Sequence, residues 1–402
     1  MIMTMLDATD APFLDLANPD FSTRSEAVRK AREKSWFART PYGMAVLRHV
    51  EVGVLLRDAR LRQGSYKWPA HNNASGLFAD WWLRMVLNRV GTDHARLRRL
   101  ANPAFAPKVV NPLKPKFEAL AAELFGNFAQ RGKCDFMAEF AEPYSTRVMC
   151  ELLGLDHAHW RQLADCAAGM GLALGVTYEQ HQDTVNAATA KLFEYAHQVI
   201  EERRAKPGND FVSKLLEVNA DKEALSDQEL HDMVVLAVFG GTDTTRNQLG
   251  LSMSVFIANP DQWKLLASHP EYVEGAVEEV MRTRPTTTWV TREALQDIDF
   301  MGVTIPKGTT VHMFPESAGT DPLAFPAQID ITEERKNHYG FGAGPHHCLG
   351  HYIARADMAE ALRLLSRHMK NLAYDGEPTW LPDSGNTGPV KLPITFDPVN
   401  FS

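Results

Sequence analysis

Apolar positions along this chain recur mostly at helical spacing. Phe117, Leu120, Ala121 and Leu124 fall at i, i+3, i+4 and i+7, one stripe of an α-helix, and residues 117–202 read as helical almost throughout. The stretch Leu192 to Arg204 stops at Lys206-Pro207-Gly208, where proline lacks the N–H that would continue the ladder. A long helix is expected from Ser226 to Ala258, closed by Asn259-Pro260, far beyond the mean of about 11–12 residues. A short helix holds Glu271 to Arg282. Another is expected over Leu349 to Met369, with Ile353, Ala356, Leu362 and Leu365 on its apolar side.

Strand signals are fewer. Met44 to Leu56 reads as a strand leading into a helix, and Val290 to Val311 as strand-like pieces punctuated by Gly302 and Pro306-Lys307-Gly308. Val390 to Phe396 reads as a strand whose Pro393 marks a sheet edge. The β-rich parts are roughly 40–65, 285–315 and 388–398, with helix in the remainder. At about 150 residues per domain, 402 residues would give two or three domains. No repeat or linker divides the chain, so the pattern favours one mainly α domain with a minor sheet over residues 1–402.

Lys and Arg total 42 against 50 Asp and Glu, a net charge of −8, which excludes nucleic-acid binding by massed positive charge. Met1 to Pro19 lacks a basic segment followed by an apolar core, so no signal peptide is expected. The runs Cys166–Val176 and Met233–Gly241 are shorter than the roughly 20 apolar residues of a membrane span. Four scattered cysteines, Cys134, Cys150, Cys166 and Cys348, make no disulfide framework and point to a reducing, cytoplasmic setting. Cys134, Cys150 and Cys166 read as small buried apolar residues.

Cys348 differs, because it sits in Phe341-Gly342-Ala343-Gly344-Pro345-His346-His347-Cys348-Leu349-Gly350. Two glycines let the backbone turn tightly and approach a flat ligand. A cysteine at a helix start is favoured as thiolate, the form a metal requires. The same residues leave another reading open, a zinc or copper site of His346, His347, Cys348 and His351. The segment resembles the haem-binding loop of the cytochrome P-450 superfamily, F-G-x-G-x-H-x-C-x-G, at every specified position. By that resemblance Cys348 is the proximal iron ligand of haem b, iron protoporphyrin IX, with Phe341, Gly342, His346, Leu349 and Gly350 around it. Its thiolate pushes electron density onto iron.

Three further constellations extend the resemblance across nearly the whole chain. Val238-Phe239-Gly240-Gly241-Thr242-Asp243-Thr244-Thr245 lies within the long helix, where each glycine costs up to about 1 kcal/mol relative to alanine. It is similar to the family's oxygen-binding motif. Gly240 and Gly241 would then leave room for O2, and Asp243 and Thr244 would relay protons through a hydroxyl freed from helical bonding. Glu279 and Arg282 match the family's E-x-x-R scaffold. His94 and Arg98 resemble its H-x-x-x-R pair, and with Arg292 and His346 they are implied partners of the haem propionates. Arg96 and Arg99 are candidates for exposed charge facing a redox partner. Two departures stand out: Thr286-Thr287-Thr288-Trp289 where proline is common, and Gly319-Thr320-Asp321 for Asn-Arg-Asp.

The resemblance is to soluble bacterial members without a membrane anchor. It implies a monooxygenase taking electrons from NAD(P)H through a separate ferredoxin and ferredoxin reductase, with O2 as co-substrate. The substrate would be a mostly apolar small molecule such as a terpene, lipid, steroid or aromatic. Leu236, Phe239, Thr287, Thr288, Trp289 and Trp81 would line the pocket, with Trp68, Phe78 and Trp82 nearby. Hydroxylation is the leading reaction. Demethylation or ring coupling at the same site, or a non-catalytic haem or metal sensor, are the alternatives.

Overall fold

The computed structural model describes residues 3–4, 10–174, 178–218, 225–383 and 385–401. Its central element is the helix Asp227–Ala258. The Ser226 hydroxyl accepts the Glu229 N–H at 3.2 Å while the Glu229 carboxylate accepts the Ser226 N–H at 2.8 Å, a reciprocal cap that starts the helix where the sequence places it. At the other end Pro260 opens a new helix, Pro260–Ser268. Helices Glu142–Leu153, Trp160–Gly171 and Tyr178–Ala205 pack against the long helix.

The helix His351–His368 packs against Lys114–Gly126, Pro260–Ser268 and Val273–Thr283. Phe117, Phe125, Phe136, Phe140 and Tyr144 are buried in the helical core. Each such side chain contributes about 1.5–3 kcal/mol by leaving water.

A five-stranded sheet flanks the helices in the order Phe37–Thr40, Gly43–Val46, Thr310–Met313, Val290–Ala294, Leu61–Gln63. Its register pairs Arg292 with Gln63 on one side and Val311 on the other. The tail divides into Pro389–Lys391 and Pro393–Thr395. Contrary to the expected edge, the second of these is the middle strand of a three-stranded sheet, between Ala373–Tyr374 and Lys133–Asp135. Proline is tolerated there because Pro393 is the first residue of its strand, and its carbonyl still accepts the Asp375 N–H at 2.9 Å. The strand Lys133–Asp135 interrupts the stretch read as helical almost throughout.

Glu279 and Arg282 are both buried and joined by two 2.7 Å hydrogen bonds, from Arg282 Nε and Nη2. Arg282 Nη1 donates to the Gly319 carbonyl at 2.6 Å. Glu279 Oε2 accepts the Asp330 N–H and lies 3.0 Å from Arg335. The adjacent Glu278 turns to His338 at 2.8 Å and Arg355 at 2.5 Å. Arg355 in turn lies over the Phe341 ring, 4.2 Å from its centroid, so this helix braces the cysteine loop.

Removing one partner of a buried pair strands the other. Glu279→Ala is therefore expected to cost about 3–5 kcal/mol in denaturant unfolding, with Arg282 and Arg335 left unpaired. Burial opposes ionisation of Glu278, but hydrogen bonds from His338 and Arg355 outweigh it and take its pKa from 4.5 to about 2. The lowered folded value means this stabilisation is complete above pH 4.5 and lost as pH falls towards 2. Acid unfolding curves of Glu278→Gln should lack that part of the pH dependence.

Candidate active site

The loop before the His351–His368 helix is shaped by Gly342 and Gly344, each at φ +68°. A side chain at Gly344 would also meet the Leu56 carbonyl at 2.9 Å. The Cys348 N–H donates to the Phe341 carbonyl at 2.9 Å, and the His347 N–H to the Gly344 carbonyl at 3.0 Å. Cys348 thus stands two residues before the helix cap, Gly350, rather than in the first turn. Its side chain is accessible although protein surrounds it, which places it on internal space. Burial pushes the thiol pKa up, against the N–H of Gly350 and the charges of Arg98 and Arg355. The thiolate expected from the helix start is therefore not stabilised by the protein alone; a bound metal ion would supply the missing charge and displace the proton. Leu349 is half-buried, and Cys134, Cys150 and Cys166 are buried.

Four basic residues from a helix, a strand and the cysteine loop converge here. His94 and Arg98 lie one turn apart on the helix Gly91–Ala101, and the rings of His94 and His346 approach to 4.1 Å between centroids. Arg292 projects from its strand and donates through Nη1 to Gln63 Oε1 and, at 3.1 Å, to the Thr291 carbonyl. Burial, His94, Arg292 and Arg98 together press the His346 pKa down to about 3. Burial, then Arg98 and Arg292, lowers that of His94. Burial alone takes Arg292 down to about 10, and burial lowers Arg98 despite Cys348. Among the described residues no carboxylate pairs with Arg98 or Arg292. The cluster is a cradle for a multiply charged anion.

The long helix offers a different surface. Gly240 is exposed in mid-helix, and a Cβ added there would meet nothing within 4 Å. A Cβ on Gly241 would lie 2.6 Å from Met149 Sδ. Only the first glycine opens space; the second lets the helix Glu142–Leu153 pack closely. Thr244 Oγ1 donates to the Gly240 carbonyl at 2.6 Å, so its hydroxyl is bonded within the helix rather than freed from it. Asp243 pairs with Arg246 at 3.1 Å, and Arg246 lies 3.9 Å from Glu142.

Leu236 and Phe239 are half-buried. Trp81 is fully buried, with its ring 5.4 Å from Phe239 edge-on and its N–H on the Asp232 carbonyl. It supports Phe239 from within an aromatic cluster that includes Trp68, Phe78 and Trp82. Thr288 is buried, and its hydroxyl donates to the Gly385 carbonyl at 3.0 Å. Thr287 reaches Asn386 at 3.4 Å, and Thr286 donates to the Thr387 carbonyl at 2.7 Å. These hydroxyls fasten the strand to the 385–387 turn. Trp289 packs on Phe314 and His312 in a separate apolar cluster. Arg96 is not free surface charge, since it pairs with Asp93 and Glu229; Arg99 is exposed. Sequence reasoning missed Met149, Arg246, Glu278, Arg335 and Arg355, all of which act through partners distant in the chain or unmarked by any motif.

A cytochrome P-450 family profile matches residues 260–393. The chain is 36% identical over 393 residues to the luteothin monooxygenase of Streptomyces thioluteus, covering 96% of each. It is 29% identical to the mycinamicin IV hydroxylase/epoxidase of Micromonospora griseorubida, over 98% of this chain and 100% of the relative. The crystal structure of CalO2 superposes with a TM-score of 0.86 at 26% identity, over 95% of this chain and 100% of that one. The chain therefore belongs to the cytochrome P-450 family, with the single-domain fold of that family. It is an oxidoreductase of the monooxygenase type, and a non-catalytic role is not favoured by relatives so named. The family implies haem, O2 and redox partners. No described helix is long and apolar enough to cross a membrane.

The residues present fit haem. An accessible cysteine inside the protein offers a soft ligand, and Arg98 and Arg292 lack the anion that two propionates would provide. Among the described residues no group of three or more His, Cys, Asp or Glu is arranged to hold a metal, which counts against the zinc or copper reading. The two glycines predict opposite outcomes in thermal unfolding. Gly241→Ala should destabilise by about 1–3 kcal/mol through overpacking on Met149. Gly240→Ala should leave stability unchanged or raise it by up to about 1 kcal/mol, while intruding on the open space.

Proposed function

We propose that the protein binds haem b through Cys348 and hydroxylates a mostly apolar small molecule bearing one or two polar handles. The observation that carries this is the accessible, enclosed Cys348 beside two arginines, Arg98 and Arg292, with no paired carboxylate among the described residues. His94, Arg98, Arg292 and His346 would hold the two propionates; Phe341, Gly342, Leu349 and Gly350 would shape the loop beneath the ring. When bound, the cofactor supplies activation of O2 by electrons delivered one at a time. These would come from NAD(P)H through a ferredoxin and its reductase, in a cytoplasmic setting.

Gly240 leaves the space beside the long helix open, and Leu236 and Phe239 give it an apolar wall. Thr244 has one hydroxyl proton and two lone pairs. Turning from the Gly240 carbonyl, it would pass its proton into the pocket and take another from water. Asp243, held by Arg246 on the next turn, would resupply that water from the outer side of the helix. Relatives named for luteothin and mycinamicin IV support a natural-product substrate. Thr287, Thr288, Trp289 and Trp81 would act from behind, fixing the strand and Phe239 rather than lining the pocket with hydroxyls.

Positioned proton donors contribute roughly 100-fold or more to such steps. Thr244→Ala is thus expected to keep consuming NAD(P)H while product per NAD(P)H falls about tenfold or more and peroxide rises. Unchanged coupling would remove Thr244 from the relay. The substrate for that assay comes from a lipid, terpene and aromatic panel screened for a shift in ferric spin state.

A further inference from the structure

His197 and His231 form a pair outside the haem region that the monooxygenase reaction does not use. His197 is exposed on the helix Tyr178–Ala205, and His231 is half-buried in the second turn of Asp227–Ala258. Their rings are nearly parallel, 18° apart, and His197 Nδ1 lies 3.3 Å from His231 Nε2. His231 Nδ1 lies 2.6 Å from the Asp227 carbonyl, which can only accept, so Nδ1 carries the proton and Nε2 presents a lone pair. That backbone bond fixes the tautomer and the ring, as the outer hydrogen bond of a metal-binding histidine does.

The separation has a further meaning. Two imidazole nitrogens, each about 2.0–2.1 Å from a tetrahedral zinc ion, are about 3.3 Å apart. The two nitrogens already stand at that spacing, joined by a hydrogen bond from the His197 Nδ1–H to the His231 Nε2 that a bound ion would replace. The helices run antiparallel here, since His197 meets His231 while Arg204, seven residues later, reaches Asp227. Glu201 and Asp227 lie one turn from the two histidines and both pair with Arg204. They give the patch negative charge without being ligands as placed, consistent with no group of three ligating side chains among the described residues.

We propose that His197 and His231 form a transition-metal site, with zinc as the representative ion. Water completes the coordination, or Glu201 or Asp227 if Arg204 swings aside. Imidazole pairs select zinc, nickel or copper over magnesium or calcium. The ion would tie the Tyr178–Ala205 helix to the helix that carries Leu236 and Gly240, a cross-brace on one wall of the substrate pocket.

The test is calorimetric titration of zinc chloride into the haem-loaded protein in a non-chelating buffer at pH 7.5. Other histidines contribute background, so the His197→Ala/His231→Ala double variant is the reference. Loss of an outer-shell partner alone weakens metal sites by about 10–100-fold, so each single alanine variant should weaken the site at least tenfold. The wild type should bind one more zinc ion than the double variant. Without zinc the single and double variants should still unfold cooperatively, and zinc should raise the midpoint of the wild type only. Equal stoichiometry and affinity in wild type and double variant would overturn the proposal. So would the absence of wild-type binding at millimolar zinc.

Discussion

Positive charge enclosed without a counter-charge is the constraint on which the haem side depends. His94, Arg98, Arg292 and His346 come from a helix, a strand and a loop; Arg98 and Arg292 lower the proton affinity of both histidines, so the positive charge is that of the two arginines. Buried cations cost several kcal/mol apiece unless something answers them. Cys348 adds the complementary strain: a thiol whose burial opposes the thiolate, within the field of Arg98. One ligand with two carboxylates and a metal ion answers both. Haem held there would bind the folded chain and not the unfolded one, so folding and cofactor capture should be strongly coupled.

Holding that arrangement requires rigid surroundings. The Glu279–Arg282 pair fixes the helix before the sheet, Arg335 and the Asp330 N–H complete it, and Glu278 reaches through Arg355 to the Phe341 ring. Two adjacent carboxylates thereby link the sheet side to the cysteine loop. On the other side the long helix combines two glycines with different duties. Gly241 admits Met149 close to the helix, while Gly240 faces open space.

Much of the fold was legible because its signals are local. Ser226 and Asn259-Pro260 mark the ends of the long helix through interactions a few residues in range, and they did so to within one residue. Pro393 misled because its lack of an N–H is the same at an edge and at a strand's first residue; only pairing with Lys133–Asp135 distinguishes the two. Within the site, the resemblance singled out Cys348, His94 and Arg98 by their motifs, but motifs do not carry the bonding of side chains. Thr244 returns its hydroxyl to Gly240, and the threonines at 286–288 are tied to a turn about a hundred residues away. Arg96, read as surface charge, is tied to Glu229 across two helices. Such partners are set by tertiary packing, which periodicity does not encode.

The central claim is that Cys348, among these cations, holds haem as a thiolate. The most direct measurement is the absorption spectrum of the purified, reduced protein under carbon monoxide. The account predicts the strongly red-shifted main band of thiolate-ligated haem, abolished in Cys348→Ser. The band of histidine-ligated haem, or a protein that purifies with zinc and no haem, would contradict it.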